Sequence, residues 1–527
     1  VESQLTVTEP VGHRHERAAS GASPGAAAGN EVDVLIVGAG VSGIGVACTL
    51  AAECPGKTVA IVERRPRLGG TWDLFRYPGV RSDSDMLTYG YGFRPWHEDR
   101  VMADGPSIRR YLADTAREHG VDARIRFGAR ITRADWSSAD QRWTLEGISE
   151  PGREPGGQPL RWRCRHLVMA TGYYDHEAGH TPDLPGLEHF RGVVVHPQHW
   201  PESLDWRGRR VVVIGSGATA MTLVPALAAG GAQVTLLQRS PSYVLSLPSR
   251  DRVSTALARL LPERWVYAWA RRRNIAVAMA LYRASRRWPN AMRWLLLRQV
   301  ARQLRGAADM RHFTPAYRPW DQRLCMVPDG DLFAAIRRGQ ATLVTDTIAG
   351  FDARHVRLQS GQALEADIVV TATGLELQAM GGMAVAVDGR PWEPGRHMFY
   401  RGVLLQDLPN LAWIVGYTNA SWTLKVDLAA AYLSRLVRHM DANGLGVATP
   451  RDTVGCALDD VSILDGLAAG YVARGGHRVP RQGRRDPWRV THDLASDRRL
   501  LAGQTFDDGV LVFEPLKAGA GGTGPFL

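Results

Sequence analysis

Two glycine-rich turns, each preceded by an apolar run and followed by a helix-forming stretch, restrict this chain to α/β folds built on dinucleotide-binding units. Residues 32–37, V-D-V-L-I-V, suit a buried parallel strand. Gly38-Ala39-Gly40-Val41-Ser42-Gly43 follows, then an Ala-rich helical stretch to about residue 52 and a second apolar run at 59–62. In that setting Gly38 allows the tight turn, Gly40 lets the backbone approach a pyrophosphate, and Gly43 completes the motif at a helix N-terminus that attracts the phosphate charge. Glu63 lies twenty residues after Gly43. It can accept hydrogen bonds from both ribose hydroxyls and would repel a 2′-phosphate, so this unit suits FAD or NAD rather than NADP.

The second unit begins at residues 210–214, R-V-V-V-I, and turns through Gly215-Ser216-Gly217-Ala218-Thr219-Ala220, with Ala220 in place of the third glycine. Its second strand, 233–237, ends in Gln238-Arg239-Ser240 and carries no acid. A cation and a hydroxyl at Arg239 and Ser240 suit a 2′-phosphate, which favours NADPH. Two further apolar runs end in Ala170-Thr171-Gly172 and Ala372-Thr373-Gly374, the returns by which a chain with two such domains closes each sheet. The expected fold is therefore α/β, with two Rossmann-like domains, one for FAD and one for NADP.

At 527 residues the chain is too long for one core. Residues 1–30, rich in Ala, Gly, Ser and Pro, read as a disordered tail. The FAD-binding domain is expected at 31–175 and again at 376–527, the NADP-binding domain at 176–245 and 311–375, and a helical insertion in the NADP domain at 246–310. No run of 18 apolar residues suggests a membrane span, and the N-terminus shows no charged stretch leading into an apolar one, so a cytoplasmic protein is expected. The cysteines, Cys48, Cys54, Cys164, Cys325 and Cys456, form no C-x-x-C, which argues against a disulfide framework, a zinc site and a dithiol reductase.

The net charge of +11 is concentrated. Residues 253–306 hold twelve Arg and one acid, Glu263, a local excess equal to the whole. Nucleic acid is the reflex partner for such a patch, but the phosphate-binding motifs elsewhere point to dinucleotides, and no nucleic-acid partner is expected. Helices packed on the protein with a solvated Arg-rich face are preferred here over peripheral docking on an anionic membrane.

Between the two turns lies Phe190-Arg191-Gly192-Val193-Val194-Val195-His196-Pro197-Gln198-His199-Trp200-Pro201. It resembles, at every defined position, the F-x-G-x-x-x-H-x-x-x-W-P pattern of type I Baeyer–Villiger monooxygenases, the class B flavoprotein monooxygenases. Gly69-Gly70-Thr71-Trp72 through Tyr77-Pro78-Gly79 to Asp83 resembles a second stretch of that group, expected as a loop on the cofactor. The resemblance places Gly70, Thr71, Trp72 and Asp83 at the flavin cofactor, Asp83 also as an active-site carboxylate and Arg323 as the active-site arginine. The group usually has Lys before that arginine, where this chain has Gln322. The sequence D-Q-R-L-C at 321–325, with 417–425, is similar to the mycobacterial ethionamide-activating enzymes and their relatives, over nearly the whole chain from residue 33.

That resemblance implies an NADPH- and FAD-dependent monooxygenase acting through a C4a-peroxyflavin. One atom of O2 would enter ketones, giving esters or lactones, and sulfides, giving sulfoxides. The substrate is then a small ketone or thioether. Two readings stay open beside it: a flavin monooxygenase confined to sulfur and nitrogen, and a non-catalytic flavin-binding redox sensor. His196, in an interdomain linker, reads as a fixer of domain geometry rather than a proton carrier. Trp422 is a candidate pocket residue, although an aromatic near a core strand more often packs. Residues beyond 445 carry no legible chemistry.

Overall fold

The computed structural model describes residues 30–98, 100–150, 157–453, 455, 458–465, 469–503 and 505–517. All but the last residue of the expected tail lies outside these. Around the first turn, Glu31–Val37 pairs in parallel with Val59–Glu63 on one side and with the long strand Pro159–Met169 on the other. Val59–Glu63 in turn pairs with Ile125–Phe127. The far edge of Pro159–Met169 is shared. Its first half pairs antiparallel with Arg142–Ser149, and its last residues pair in parallel with Leu411–Trp413. The chain therefore returns to the first sheet from almost 250 residues downstream, by the register Leu411↔Leu167. Helix Val41–Glu53 packs against Thr423–Ala442, so the first unit is completed by the C-terminal part of the chain.

The second sheet is five-stranded and wholly parallel, in the order Ala341–Thr345, Gln233–Gln238, Arg210–Ile214, Ile368–Thr371, Val193–Val195. The aromatic-to-Trp-Pro segment thus supplies its edge strand. A Cβ at Gly192 would lie 2.5 Å from the Asp367 carbonyl oxygen, so glycine lets the chain enter that edge. Phe190 packs edge-to-face on Phe351 with centroids 6.1 Å apart, and Trp200 on Trp206 at 5.8 Å. These residues hold the segment to the sheet.

The two units are joined by a short antiparallel ladder between Tyr174–Gly179 and Leu375–Leu377, which are the two outgoing linkers after the Ala-Thr-Gly returns. Within the second unit, Arg252–Leu257, Glu263–Arg287 and Pro289–Leu304 are helical. The break falls at Trp288, where Pro289 cannot continue the preceding helix and opens the next one. The stretch 69–83 is not all loop: Thr71–Leu74 forms one helical turn, launched by Gly69 and Gly70 at φ +127° and +55°. Its Asp73, fully buried, takes ion pairs from Arg65, Arg67, Arg76 and Arg109 at 2.9–3.3 Å, which fixes the turn. Among the described residues no helix is long and apolar enough to cross a membrane.

Candidate active site at the junction of the two nucleotide units

Both glycine-rich turns are built alike. Gly38 has φ +107°, and a Cβ there would lie 2.6 Å from the Ala170 carbonyl oxygen. Gly215 has φ +136°, and its Cβ would overlap the Ala372 carbonyl oxygen. Each turn is thus pressed onto the Ala-Thr-Gly return of its own sheet, and only glycine fits. A Cβ at Gly43 would overlap the Gly38 carbonyl oxygen, whereas Ala220 is accommodated and fully buried in the second unit. The helices beginning at Val41 and Ala218 are capped by Gly40 and Gly217, with no side chain bonded to their first N–H groups. Nothing lies within 4 Å of where a Gly217 Cβ would stand. These uncapped N-termini fit a pyrophosphate in both units.

Glu63 is held at the end of its strand: Oε2 accepts from the Ala39 N–H at 2.7 Å and Oε1 from the Arg65 N–H at 2.8 Å. Burial pushes its pKa up, against the pull of those two donors. Its place beside the first turn fits a ribose acceptor. In the second unit Gln238 is structural, donating to the His312 carbonyl at 2.7 Å and to Thr345 Oγ1 at 3.0 Å. Arg239 and Ser240 follow it into solvent, placing an exposed cation and hydroxyl at the strand end. Thr219 lies beside the buried Tyr77 phenol, and a Cβ at Gly79 would come 2.6 Å from Ala226 Cβ. The loop 75–83 of the first unit therefore docks on the first helix of the second.

That docking brings Asp83 to Arg323. Arg323 Nε stands 3.0 Å from Asp83 Oδ2, and Nη2 donates to Oδ1 at 3.1 Å, a two-point pairing across 240 residues of sequence. The Arg323 side chain keeps 42% of its exposure and Asp83 27%, so the pair lies on the wall of an open cleft. Asp83 raises the arginine's pKa further above its ordinary value, and the charge is permanent. Two residues on, the Cys325 thiol lies 3.6 Å from the Ser216 carbonyl oxygen of the second glycine-rich turn. Burial pushes that thiol up to about 12, so it stays protonated and serves as an anchor, not a nucleophile. Gln322, at the usual lysine position, is half-buried.

Two family models match the parts of the chain that hold the glycine-rich turns. Residues 36–114 match the NAD(P)-binding Rossmann-like domain model, and residues 164–276 match the flavin-binding monooxygenase-like model. The FAD-containing monooxygenase EthA of Mycobacterium tuberculosis is 46% identical, over 93% of this chain and 99% of its own. The chain belongs to the FAD-containing monooxygenase family. MymA of the same organism, also named for an FAD-containing monooxygenase, is 56% identical over 91% of this chain and 97% of its own. The resemblance to the ethionamide-activating group is borne out, with MymA nearer than EthA. Among solved structures, an oxidized steroid monooxygenase bound to NADP superposes with a TM-score of 0.72 at 23% identity, covering 93% of this chain and all of that one. That likeness shows the fold: two Rossmann-like units in one α/β chain.

In this FAD-containing monooxygenase the surroundings of Arg323 are aromatic. The phenols of Tyr173, Tyr471 and Tyr174 lie within electrostatic reach of its guanidinium. Tyr173 and Tyr174 pack with centroids 4.5 Å apart, Tyr174 meets Tyr471 at 5.7 Å, and Tyr173 meets Trp422 at 5.4 Å. Trp422 donates from Nε1 to Ser42 Oγ at 2.7 Å and covers Gly416, where a Cβ would overlap its ring. It is at once packing for the first unit and an end of the aromatic wall. On the other side Trp72 donates from Nε1 to the Tyr89 hydroxyl at 2.8 Å. Gly70 backs onto Gly40, its would-be Cβ 3.0 Å from the Gly40 Cα, and Thr71 is exposed beside it.

Sequence reasoning missed Tyr89, Tyr173, Tyr174 and Tyr471. Tyr471 comes from the region beyond residue 445, where no chemistry was legible; the C-terminal region folds back to complete the wall. The signal available for Tyr173 and Tyr174 was their position directly after Ala170-Thr171-Gly172.

His196 lies at the linker ladder. Its Nδ1 accepts from the Gln198 N–H at 3.2 Å, so the proton sits on Nε2, which donates to the Gly374 carbonyl oxygen at 3.2 Å. The ring also occupies the space a Gly179 Cβ would need. It therefore touches both linkers at once. Burial lowers its pKa, in keeping with a neutral ring whose two nitrogens are both spoken for.

Proposed function

We propose that this FAD-containing monooxygenase is a Baeyer–Villiger enzyme that uses NADPH, inserts one oxygen atom of O2 beside the carbonyl of a ketone, and also oxygenates sulfides. The second oxygen atom leaves as water with the two electrons of NADPH. The observation that carries this reading is the two-point Asp83–Arg323 pair, set in an aromatic cleft between two nucleotide-binding turns.

Gly38, Gly40, Gly43 and Glu63, with Gly70, Thr71 and Trp72, would hold FAD; Gly215, Gly217, Thr219, Ala220, Arg239 and Ser240 would hold NADPH. FAD held by these residues would supply the chemistry that activates dioxygen. The chain's own residues then set the conditions. Arg323 presents a fixed cation where negative charge develops, and its guanidinium needs no reorganisation at that moment. Asp83 holds the fork in one orientation and leaves the cleft less positive than a lone arginine would. With both nucleotides bound, the tyrosines and Trp422 would help exclude water around Arg323, which would strengthen the charge effect. His196 ties the linkers so that the nicotinamide unit moves relative to the flavin unit without losing register.

The test is the mass of the products formed from NADPH, heavy dioxygen and a mixture of ketone and thioether probes. One heavy oxygen in an ester or lactone supports the reading. Label confined to sulfoxides would replace it with heteroatom oxygenation. Turnover-dependent NADPH oxidation absent with every probe would favour the redox-sensing alternative.

A further inference from the structure

The helical insertion carries a surface that the reaction does not use. Nine of the fourteen exposed large apolar side chains among the described residues fall between Val253 and Leu295, in a segment less than a tenth of the chain. They include four tryptophans, Trp265, Trp269, Trp288 and Trp294, exposed by 65%, 44%, 60% and 59%. Isolated exposed apolar residues are ordinary, but a concentration of exposed tryptophan marks a surface made for contact. The sequence alone weighs these helices as a solvated basic face. A solvated face has no use for tryptophan.

The arrangement is amphipathic in an unusual sense. Along Glu263–Arg287 the residues at the Trp265 spacing, Trp269, Arg272, Ala276, Ala280, Arg283 and Arg287, lie within one outward stripe of the helix and are all exposed. The inward side is spent on the protein: Arg271 donates to the carbonyls of Leu87, Thr88 and Gly90 and pairs with Asp427 at 2.9 Å, and Tyr282 packs on Trp320. At the flank the exposed Arg286 pairs with Asp321 at 2.7 Å. Along Pro289–Leu304, Trp294, Leu295, Arg298 and Arg302 share the outward side. Arg273 sits over the Trp269 ring and Arg298 over the Trp294 ring, at 4.8 and 4.9 Å. Among the described residues, Arg272, Arg287 and Arg302 pair with no carboxylate. Tryptophan with interleaved arginine, and a single acid in 253–306, complement a surface that is apolar below and anionic above.

We propose that the exposed face of residues 253–305 docks on the surface of a bilayer containing anionic lipid, with the tryptophans at the level of the headgroups and the arginines among the lipid phosphates. The helix that carries the face also braces the loop of Arg323, so docking holds the cleft at a fixed distance from the bilayer. None of the described helices enters the membrane core, and binding is peripheral and reversible. This inference does not depend on which oxygenation the enzyme performs.

The experiment is flotation of the FAD-loaded enzyme with vesicles of phosphatidylcholine alone or mixed with phosphatidylglycerol, at low and high salt. Two variants are compared with the parent, Trp265→Ser/Trp269→Ser/Trp294→Ser and Arg272→Gln/Arg287→Gln/Arg302→Gln, with thermal midpoint, flavin content and NADPH oxidation in solution as controls for folding. The parent is expected to float with phosphatidylglycerol vesicles at low salt, to be released at high salt and to ignore pure phosphatidylcholine. Each arginine near such a surface is worth about fivefold in partition, so the arginine variant loses on the order of a hundredfold. The tryptophan variant loses flotation with its charge unchanged. Failure of the parent to float at low salt overturns the proposal, as does equal flotation on both vesicle types. Self-association of the parent that the tryptophan variant abolishes, without flotation, would assign the face to a second copy of the chain. Binding of a single-stranded RNA in place of vesicles would assign it to nucleic acid.

Discussion

Replacing Arg323 by alanine should separate catalysis from folding, because the proposed function gives the pair a large role in the first and its exposure leaves it a small role in the second. The pairing with Asp83 is well formed, with contacts of 3.0 and 3.1 Å, but the two side chains keep 42% and 27% of their exposure. A pair this open contributes about 1 kcal/mol or less to stability, since water screens the attraction and solvates either partner alone. In a chain of this size that moves the unfolding midpoint by no more than about 2 °C. Arg323 meets the flavin unit through Asp83 rather than through the glycine-rich turn or Glu63, so flavin content should match the parent.

The effect on oxygenation is of another order. Withdrawing one preorganised charge from the place where negative charge develops costs about 10²–10³ in rate. Arg323→Ala should therefore retain flavin, still oxidise NADPH, divert that oxidation to free hydrogen peroxide, and form ester or sulfoxide at least a hundredfold more slowly. Arg323→Lys keeps a charge but loses the planar fork that meets both oxygens of Asp83, and should fall between the two. The assay is product formation by mass against NADPH consumed, with flavin content and thermal midpoint measured on the same preparations. Product formation within tenfold of the parent would refute the catalytic assignment. Loss of flavin, or a fall in midpoint of many degrees, would show that the arginine is structural and that the exposure argument is wrong.

Three other perturbations test the remaining assignments. Arg239→Glu should raise the KM for NADPH by ten- to a hundredfold while leaving that for NADH nearly unchanged, as expected if a charge-assisted contact worth about 1.5–3 kcal/mol is lost; steady-state kinetics with both cofactors measures it, and an unchanged preference would move the 2′-phosphate elsewhere. His196→Ala should lower kcat without altering its pH profile, because the ring clamps the two linkers and carries no proton to substrate; a lost or displaced ionisation in the profile would contradict that. His166 is buried within the first sheet and its pKa is lowered to about 3, chiefly by burial. Below pH 6.5 the unfolded chain takes up the proton that the folded chain refuses, so this residue costs about 1.4 kcal/mol of stability for each unit of pH lost between 6.5 and 3. His166→Gln should flatten the acid limb by that slope in urea titrations, and an unchanged limb would mean the imidazole protonates in place.

How far the site was legible follows from where each constraint is written. The glycine-rich turns are local: each glycine is required by a neighbour fixed by the same motif, and Gly38 against Ala170 or Gly215 against Ala372 need only the strand order to be foreseen. Arg239 was legible for the same reason, as the residue just past the second strand of a βαβ unit. The Asp83–Arg323 pair was not readable from spacing, since 240 residues separate the partners; the resemblance of the flanking motifs brought them together. The tyrosines had no such guide. Tyr173 and Tyr174 follow one Ala-Thr-Gly return, and Tyr471 comes from a region whose composition announces only loops and short elements. The exposed tryptophans were equally hidden, because periodicity gives a helix and its two faces but not which face the protein covers.

That distribution has a mechanical meaning. Asp83 reaches the cleft on a loop of the flavin unit that docks on the first helix of the nicotinamide unit, and Arg323 reaches it two residues before a thiol that bonds the nicotinamide turn. The pair is therefore complete only when the two units stand in one particular relation. Arg81 and Asp331 reinforce that relation across the same junction, with an ion pair at 2.6 Å, while His196 holds the two linkers through the Gly374 carbonyl and the face of Gly179. Under the proposed function, these contacts would give the second unit one geometry to recover after it delivers its electrons. The charge that the proposed function assigns to the oxygen step is itself one of the contacts between the two units.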